Sequence, residues 1–231
     1  MSVFKFKEFS IIQEKSAMKV GTDGVLLGSW ISCNTADTIL DIGCGTGLIT
    51  LMLAQRNKES NITGIEIDEI ASQEAQENVG NSDWQERIKI KHVALQNFNS
   101  PSQFDLIVSN PPFFPSIKSQ ERRDIARHTN NLSFEELILN AANLLSAKGI
   151  FGVIIPKDAK INFCEIAENY NLYYNRVCSI KGNESTEVKR VMLEFSFLKA
   201  ERLIEYLTIE TARHKYTNEY IQLCKDFYLK M

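Results

Sequence analysis

The sequence predicts an α/β fold: a doubly wound, mostly parallel seven-stranded sheet that ends in an antiparallel hairpin. Three observations carry this. Short apolar runs alternate with helical patterns from Thr38 to Tyr170, a glycine-rich turn at Gly43 to Gly47 separates the first such run from the first such helix, and only KGNESTE separates the last two apolar runs.

In order along the chain, TADTILDIGCGTGLITLMLAQ reads as a strand at Thr38 to Ile42, a turn, and a helix from Leu48 to Ala54. A second strand at Ile62 to Ile67 runs into Asp68, a helix cap, and EIASQEAQENV supplies the helix. Strands at Ile88 to Val93 and Phe104 to Ser109 follow, the latter ending in Asn110-Pro111-Pro112-Phe113-Phe114. Ser133 and Glu136 form a capping box for a helix through Leu145, closed by Lys148-Gly149 before the buried strand GIFGVIIP. A helix over Ala159 to Tyr170 leads to the hairpin strands, Leu172 to Ile180 and Val188 to Phe197. Tyr220, Ile221, Leu223, Cys224, Phe227 and Tyr228 then recur at helical spacing. The expected organisation is a single domain over residues 1–231, with an N-terminal extension to about residue 36 and a C-terminal helix over about 217–229.

Composition narrows the function classes. At 231 residues and 26.3 kDa, with 44% hydrophobic and 24% charged residues, the chain reads as a soluble globular protein. No stretch approaches the roughly 18 apolar residues of a membrane span, and MSVFKFKEFS lacks the apolar core and cleavage site of a secretory signal, so a cytoplasmic location is expected. The five cysteines form no CxxC pair and no Cys/His metal spacing; they are read as reduced thiols, and no metal is expected. The net charge of -3 gives no global attraction to nucleic acid, so any RNA contact must rest on a local basic patch.

Ligands of such sheets bind beyond the carboxyl ends of the strands, where both Gly43 to Gly47 and Asn110 to Phe113 fall. A dinucleotide fingerprint would need a third glycine at position 48, which is Leu48, so the pattern is GxGxG and NAD is the weaker reading. After the acidic strand end at Asp41, this spacing resembles the first motif of class I, Rossmann-like methyltransferases, which implies S-adenosylmethionine as cofactor. On that resemblance Asp41, Gly43, Gly45, Gly47 and Asn110 are cofactor-side residues, and Glu66 accepts hydrogen bonds from the ribose hydroxyls. Such enzymes often carry an acidic residue after the third strand to hold the adenine; Ala94 stands near that place, and backbone around Ala94 and Leu95 is the substitute. Cys44 reads as a small turn residue.

Asn110-Pro111-Pro112-Phe113 is the expected reacting centre. An exocyclic amine on a heteroaromatic ring is a poor nucleophile because its lone pair is delocalised. The side-chain oxygen of Asn110 and the carbonyl of Pro111 can accept its two hydrogens and turn the lone pair toward a methyl sulfonium, while the prolines hold the backbone extended. Phe113 can stack on the base, a contact worth about 1–3 kcal/mol. This constellation resembles amino-group methyltransferases acting on adenine, guanine or glutamine amide.

MKVGTDGVLLG, ILDIGCGTG, GIEID and FDLIVSNPPFF together resemble the bacterial family that methylates N6 of the adenine beside the anticodon of a valine tRNA, a likeness that runs over most of the chain. It implies a tRNA partner and places Thr22 and Asp23 across the cofactor pocket; read locally, Asp23 would cap a helix. Guanine N2 in RNA and a protein glutamine amide stay open as acceptors, and a non-catalytic RNA-binding module would be expected to lose one of the two motifs. Lys118, Arg122, Arg123, Arg127 and His128 follow the reacting motif and are candidate RNA contacts, or a solvated face balanced by Glu121 and Asp124.

Overall fold

The computed structural model describes residues 2–112 and 132–231. A small hairpin of β1 (Val3–Lys5) and β2 (Ser10–Ile12) precedes helix α1 (Thr22–Trp30). Then β3 (Thr38–Ile42), α2 (Leu48–Arg56), β4 (Asn61–Glu66), α3 (Glu69–Gly80), β5 (Ile88–His92) and β6 (Phe104–Ser109) alternate as the apolar periods predict. The chain continues through α4 (Phe134–Leu144), β7 (Leu145–Pro156), α5 (Lys160–Asn169), β8 (Tyr173–Asn183), β9 (Val188–Ser196), β10 (Leu203–Ala212), β11 (Lys215–Tyr216) and α6 (Asn218–Cys224).

The main sheet runs in the order β11-β10-β8-β9-β7-β6-β3-β4-β5. From β3 the chain winds outward to β4 and β5, then returns to β6 on the other side of β3 and continues to β7, all in parallel. The reversal puts a topological switch point between β3 and β6, where a crevice opens beyond the strand ends. β9 inserts antiparallel between β7 and β8, which is the expected hairpin.

Three expectations need correction. The sheet has nine strands, not seven, because β10 pairs in parallel with the open edge of β8 and β11 folds back on β10. This covers an edge that would otherwise expose a row of unpaired backbone groups. Helix α4 ends at Leu144, one residue before its expected end, and Lys148-Gly149 do not close it but lie in an irregular start of β7 where its register against β6 shifts. The last helix is shorter than its apolar spacing implied. Thr217 caps it, accepting a hydrogen bond from Tyr220 N (3.2 Å), and beyond Cys224 the chain turns so that the Phe227 carbonyl accepts from Lys7 N (2.9 Å).

Apolar side chains cover both faces of the sheet. Helices α1, α2 and α6 bury Leu27, Leu51, Met52 and Cys224 on one face, and α4 and α5 bury Leu137, Ile138 and Phe163 on the other, where Phe163 meets Phe151 and Phe195. Gly152 of β7 lets the end of α1 lie directly on the sheet, since a β-carbon there would sit 2.0 Å from Ile31 Cδ1. All five cysteines are free and buried.

Candidate active site

The site is built on the turn after β3. Gly43, Gly45 and Gly47 all adopt the left-handed backbone (φ 70°, 55° and 85°), which glycine enters without steric cost. The turn is pinned from below, since the N–H groups of Gly43 and Cys44 both donate to Ile65 O of β4 (2.9 and 3.0 Å). A β-carbon at Gly43 or Gly45 would meet no atom within 4 Å, so their α-carbons face open space. Gly47 has a different role: it precedes the first turn of α2 and packs toward Ala75 of α3, 3.5 Å from where a β-carbon would be, and it does not line the cavity.

That open space is a cavity of about 560 Å3, within the range typical of small-molecule sites. Its walls come from Thr22 and Asp23 of α1, Gly43 and Gly45, Glu66 at the end of β4, Leu95 after β5, and Asn110 and Pro111 after β6. The register explains the meeting. Ile42 of β3 pairs with Ser109 of β6, so Asn110 leaves its strand directly beside Gly43, and Ser109 Oγ donates to Ile42 O (2.9 Å) to close the two strand ends together.

Glu66 is nearly buried, and its two oxygens accept from Gly45 N (2.8 Å) and Asp68 N (2.9 Å). The carboxylate is thereby aimed at the glycine turn, and each oxygen keeps acceptor capacity for a ligand hydroxyl. Asp68 caps α3 as its position predicts, accepting from Ala71 N (2.7 Å).

Asp41 lies beneath this surface rather than on it, a correction to its expected place beside the cofactor. It is fully buried, it does not line the cavity, and its Oδ2 accepts from Thr50 Oγ1 (2.6 Å) while Oδ1 has no partner among the described residues. Burial, opposed by the Thr50 hydrogen bonds and reinforced by the Glu66 charge, pushes its carboxyl up to about 7. An unfolded aspartate titrates near 3.9, so the native state holds this proton more tightly and its stability falls as pH rises from about 4 to about 7. Asp41→Asn removes the titration. The variant is expected to gain stability relative to the parent as pH rises from about 4 to about 7 in denaturant unfolding; parallel pH profiles across that window would assign the proton elsewhere.

Asp23 does not cap α1. Gly21 occupies the cap position without a side-chain bond, and Asp23 Oδ2 instead accepts from Arg190 Nε of β9 (2.8 Å) at the cavity rim. Ala94 itself does not line the cavity; Val93, Leu95 and Gln96 around it do. Gln96 escaped the sequence reading. Its signal was a polar side chain in the first turn after the third expected strand, where the adenine-binding acid is absent. Burial pushes the Cys44 thiol well above its usual range, which disfavours the thiolate a nucleophile would need. Phe113, Lys118, Arg122, Arg123, Arg127 and His128 lie outside the described residues.

Comparison with known proteins gives the family. The family model described as "Methyltransferase small domain" matches residues 16–173. The chain is 46% identical to a protein from Christiangramia forsetii over 99% of this chain and 98% of that one, and 47% identical to one from Flavobacterium psychrophilum over 99% and 100%. Both relatives are named tRNA1(Val) (adenine(37)-N6)-methyltransferase. Among solved structures, a protein from Agrobacterium tumefaciens described as a predicted O-methyltransferase superposes with a TM-score of 0.70 at 17% identity, covering 89% of this chain and 96% of that one. The N-methyltransferase NodS from Bradyrhizobium japonicum gives 0.53 at 19% identity, over 74% and 90%. These two likenesses establish the fold. With more than half of its length matched by the family model and near-complete coverage of its relatives, the chain belongs to the methyltransferase small domain family and, within it, to the family of the tRNA1(Val) (adenine(37)-N6)-methyltransferases.

Proposed function

We propose that this chain, acting as one methyltransferase domain, transfers a methyl group from S-adenosylmethionine to N6 of adenine 37 in tRNA1(Val). The observation that carries the reading is the juxtaposition of Asn110-Pro111 with the glycine turn in one cavity, in a chain whose relatives named for this reaction match it from end to end.

The residues present fit the cofactor. Open space over Gly43 and Gly45 admits a ligand against bare backbone, and Glu66 has acceptor capacity left for two ribose hydroxyls. Leu95 offers an apolar wall for the adenine and Gln96 an amide to read its edge. Thr22 and Asp23 close the opposite side. When bound, S-adenosylmethionine supplies an electrophilic methyl carbon on sulfonium. The Asn110 side-chain oxygen and the Pro111 carbonyl would accept hydrogen bonds from the two N–H groups of the target amine and hold its lone pair in line with the methyl carbon; the methylated nitrogen is cationic and acidic enough to lose one proton to water, so no strong base is required. Phe113 is assigned to stacking on the flipped base, which offsets part of the few kcal/mol that extrusion costs. The cations from Lys118 to His128 are assigned to phosphate contacts. Among the described residues no helix is long and apolar enough to cross a membrane, and the reading places the enzyme's work in the cytoplasm.

The test is incubation with methyl-labelled cofactor and total tRNA, followed by nucleoside analysis of the digested RNA. N6-methyladenosine at position 37 of tRNA1(Val) is the expected product. Label on guanine N2, or on glutamine in a parallel protein digest, would overturn the acceptor assignment.

A further inference from the structure

Residues 13–21 connect β2 to α1 as a strap along the cavity, and Met18, Lys19, Val20 and Gly21 form part of its wall. The strap has no regular secondary structure, so its backbone groups must find partners elsewhere. Side chains of the strap itself, Gln13, Ser16 and Lys19, meet part of that need, and one face of α3 meets another part. Glu74, 6% exposed, accepts from Lys15 N (2.7 Å) through Oε1 and from Ser16 N (3.1 Å) through Oε2. One helical turn further on, Asn78, 1% exposed, accepts from Ile12 N (2.7 Å) and donates through Nδ2 to Ile12 O (3.0 Å) and to Thr46 O of the glycine turn (2.9 Å).

Asn78 therefore uses both amide hydrogens and its oxygen in one buried knot. Aspartate could not donate to the two carbonyls, and alanine would leave the buried Thr46 carbonyl and two half-buried backbone groups of Ile12 without this partner. The knot joins the end of β2, from which the strap departs, to the glycine turn, and strap and turn meet at the same cavity.

We propose that Asn78 and Glu74 together are positioning residues for the cofactor: the Asn78 carboxamide ties the end of β2, where the strap begins, to the glycine turn, and Glu74 holds the strap itself on α3, so that the cofactor meets a site already closed on two sides. The inference rests on the cofactor reading of this cavity given above. A strap held in place before binding does not have to be ordered by the ligand, and the saving appears as affinity. The contribution is equal in ground and transition states, so it acts on cofactor KM and not on kcat.

The experiment compares the parent with Asn78→Ala and Glu74→Ala by calorimetric titration of S-adenosylmethionine, steady-state methylation of tRNA over a range of cofactor, and amide hydrogen exchange of the cofactor-free proteins. Cofactor Kd and KM are expected to rise roughly tenfold or more, with kcat at saturating cofactor within about twofold of the parent. The amides of Lys15, Ser16 and Val20 are expected to exchange faster. A variant that melts at lower temperature yet binds cofactor with parental affinity would overturn the proposal, because that is the signature of a purely structural role. If Asn78→Ala does not fold, Glu74→Ala, which touches the strap alone, decides: unchanged cofactor affinity with faster strap exchange would also overturn it. Failure of the parent itself to bind S-adenosylmethionine would remove the cofactor reading first, and is distinguishable from a parent that binds and variants that match it.

Discussion

Asn110→Ala is expected to slow single-turnover methylation by about a hundredfold or more, the usual cost of removing one preorganised hydrogen-bonding group from a reacting centre. The reason is specific to the acceptor. An adenine amine carries two hydrogens and a delocalised lone pair, and with only the Pro111 carbonyl left to accept, the nitrogen is free to rotate out of line with the methyl carbon. Asn110 stands at the end of β6, one strand over from the glycine turn, and Pro111 is buried against the same cavity. Cofactor affinity should hardly change, because the glycine turn, Glu66 and the strap are untouched. Rate and binding must be measured separately, by quenched single-turnover reactions and by cofactor titration. Near-parental rates would dismiss the amine-orientation mechanism, and a selective loss of cofactor affinity would mean that the end of β6 serves the other ligand.

The second large effect lies at the opposite end of the sheet and concerns stability alone. Arg176 of β8 donates through Nε and Nη2 to Glu205 of β10 (2.8 and 3.2 Å), and through Nη1 to Glu194 of β9 (3.2 Å) and Trp30 O of α1 (3.2 Å). Its guanidinium also lies 4.1 Å from the Trp30 ring centroid, and Trp30 Nε1 donates to Glu205 (2.8 Å). One planar cation thus ties β8 to three other elements. Arg176→Ala leaves Glu194, only 7% exposed, without its hydrogen-bonded counter-charge. Breaking a buried pair from one side costs about 3–5 kcal/mol; Arg176 keeps some solvent contact, so about 3 kcal/mol is expected, or a fall in Tm of about 6–12 °C for a domain of this size. A triple variant, Arg176→Met with Glu194→Gln and Glu205→Gln, should recover part of the loss, because no uncompensated charge then stays behind. Thermal unfolding of both proteins checks this, and methylation well below the transition should match the parent. A loss under 1 kcal/mol from Arg176→Ala would show that the cluster is effectively solvated.

Both predictions bear on how a chain of this kind is read. The glycine turn, Glu66 and Asn110 were legible because each sits at a strand end marked by its own short pattern, and parallel winding brings such ends to one edge whatever the rest of the fold does. Asp41 and Gly47 belong to the same pattern but turn away from the cavity. Spacing places a residue within a few ångströms of a ligand; it does not say which side of the backbone its side chain takes, and Thr50, a turn into α2, claims the Asp41 carboxylate.

The residues that hold the site together were hidden for a related reason. Glu74 and Asn78 occur in EIASQEAQENV, where polar side chains at helical spacing read as a solvated face, and nothing local distinguishes them from Glu77. They became buried only when the strap folded across α3 and brought its unpaired amides with it. The place of β10 is similar in kind: Leu203, Ile204 and Tyr206 stay exposed, and the strand takes its position from the open edge of β8 and from the Arg176–Glu205 contact. Periodicity, caps and glycine turns act within a dozen residues and are written in the chain; they specified the fold class and the strand ends that meet at the cavity. Edge pairing, burial of polar side chains and the closing of the strap depend on partners far away in sequence, 66 residues in the case of Ile12 and Asn78, and those were settled only by the folded arrangement.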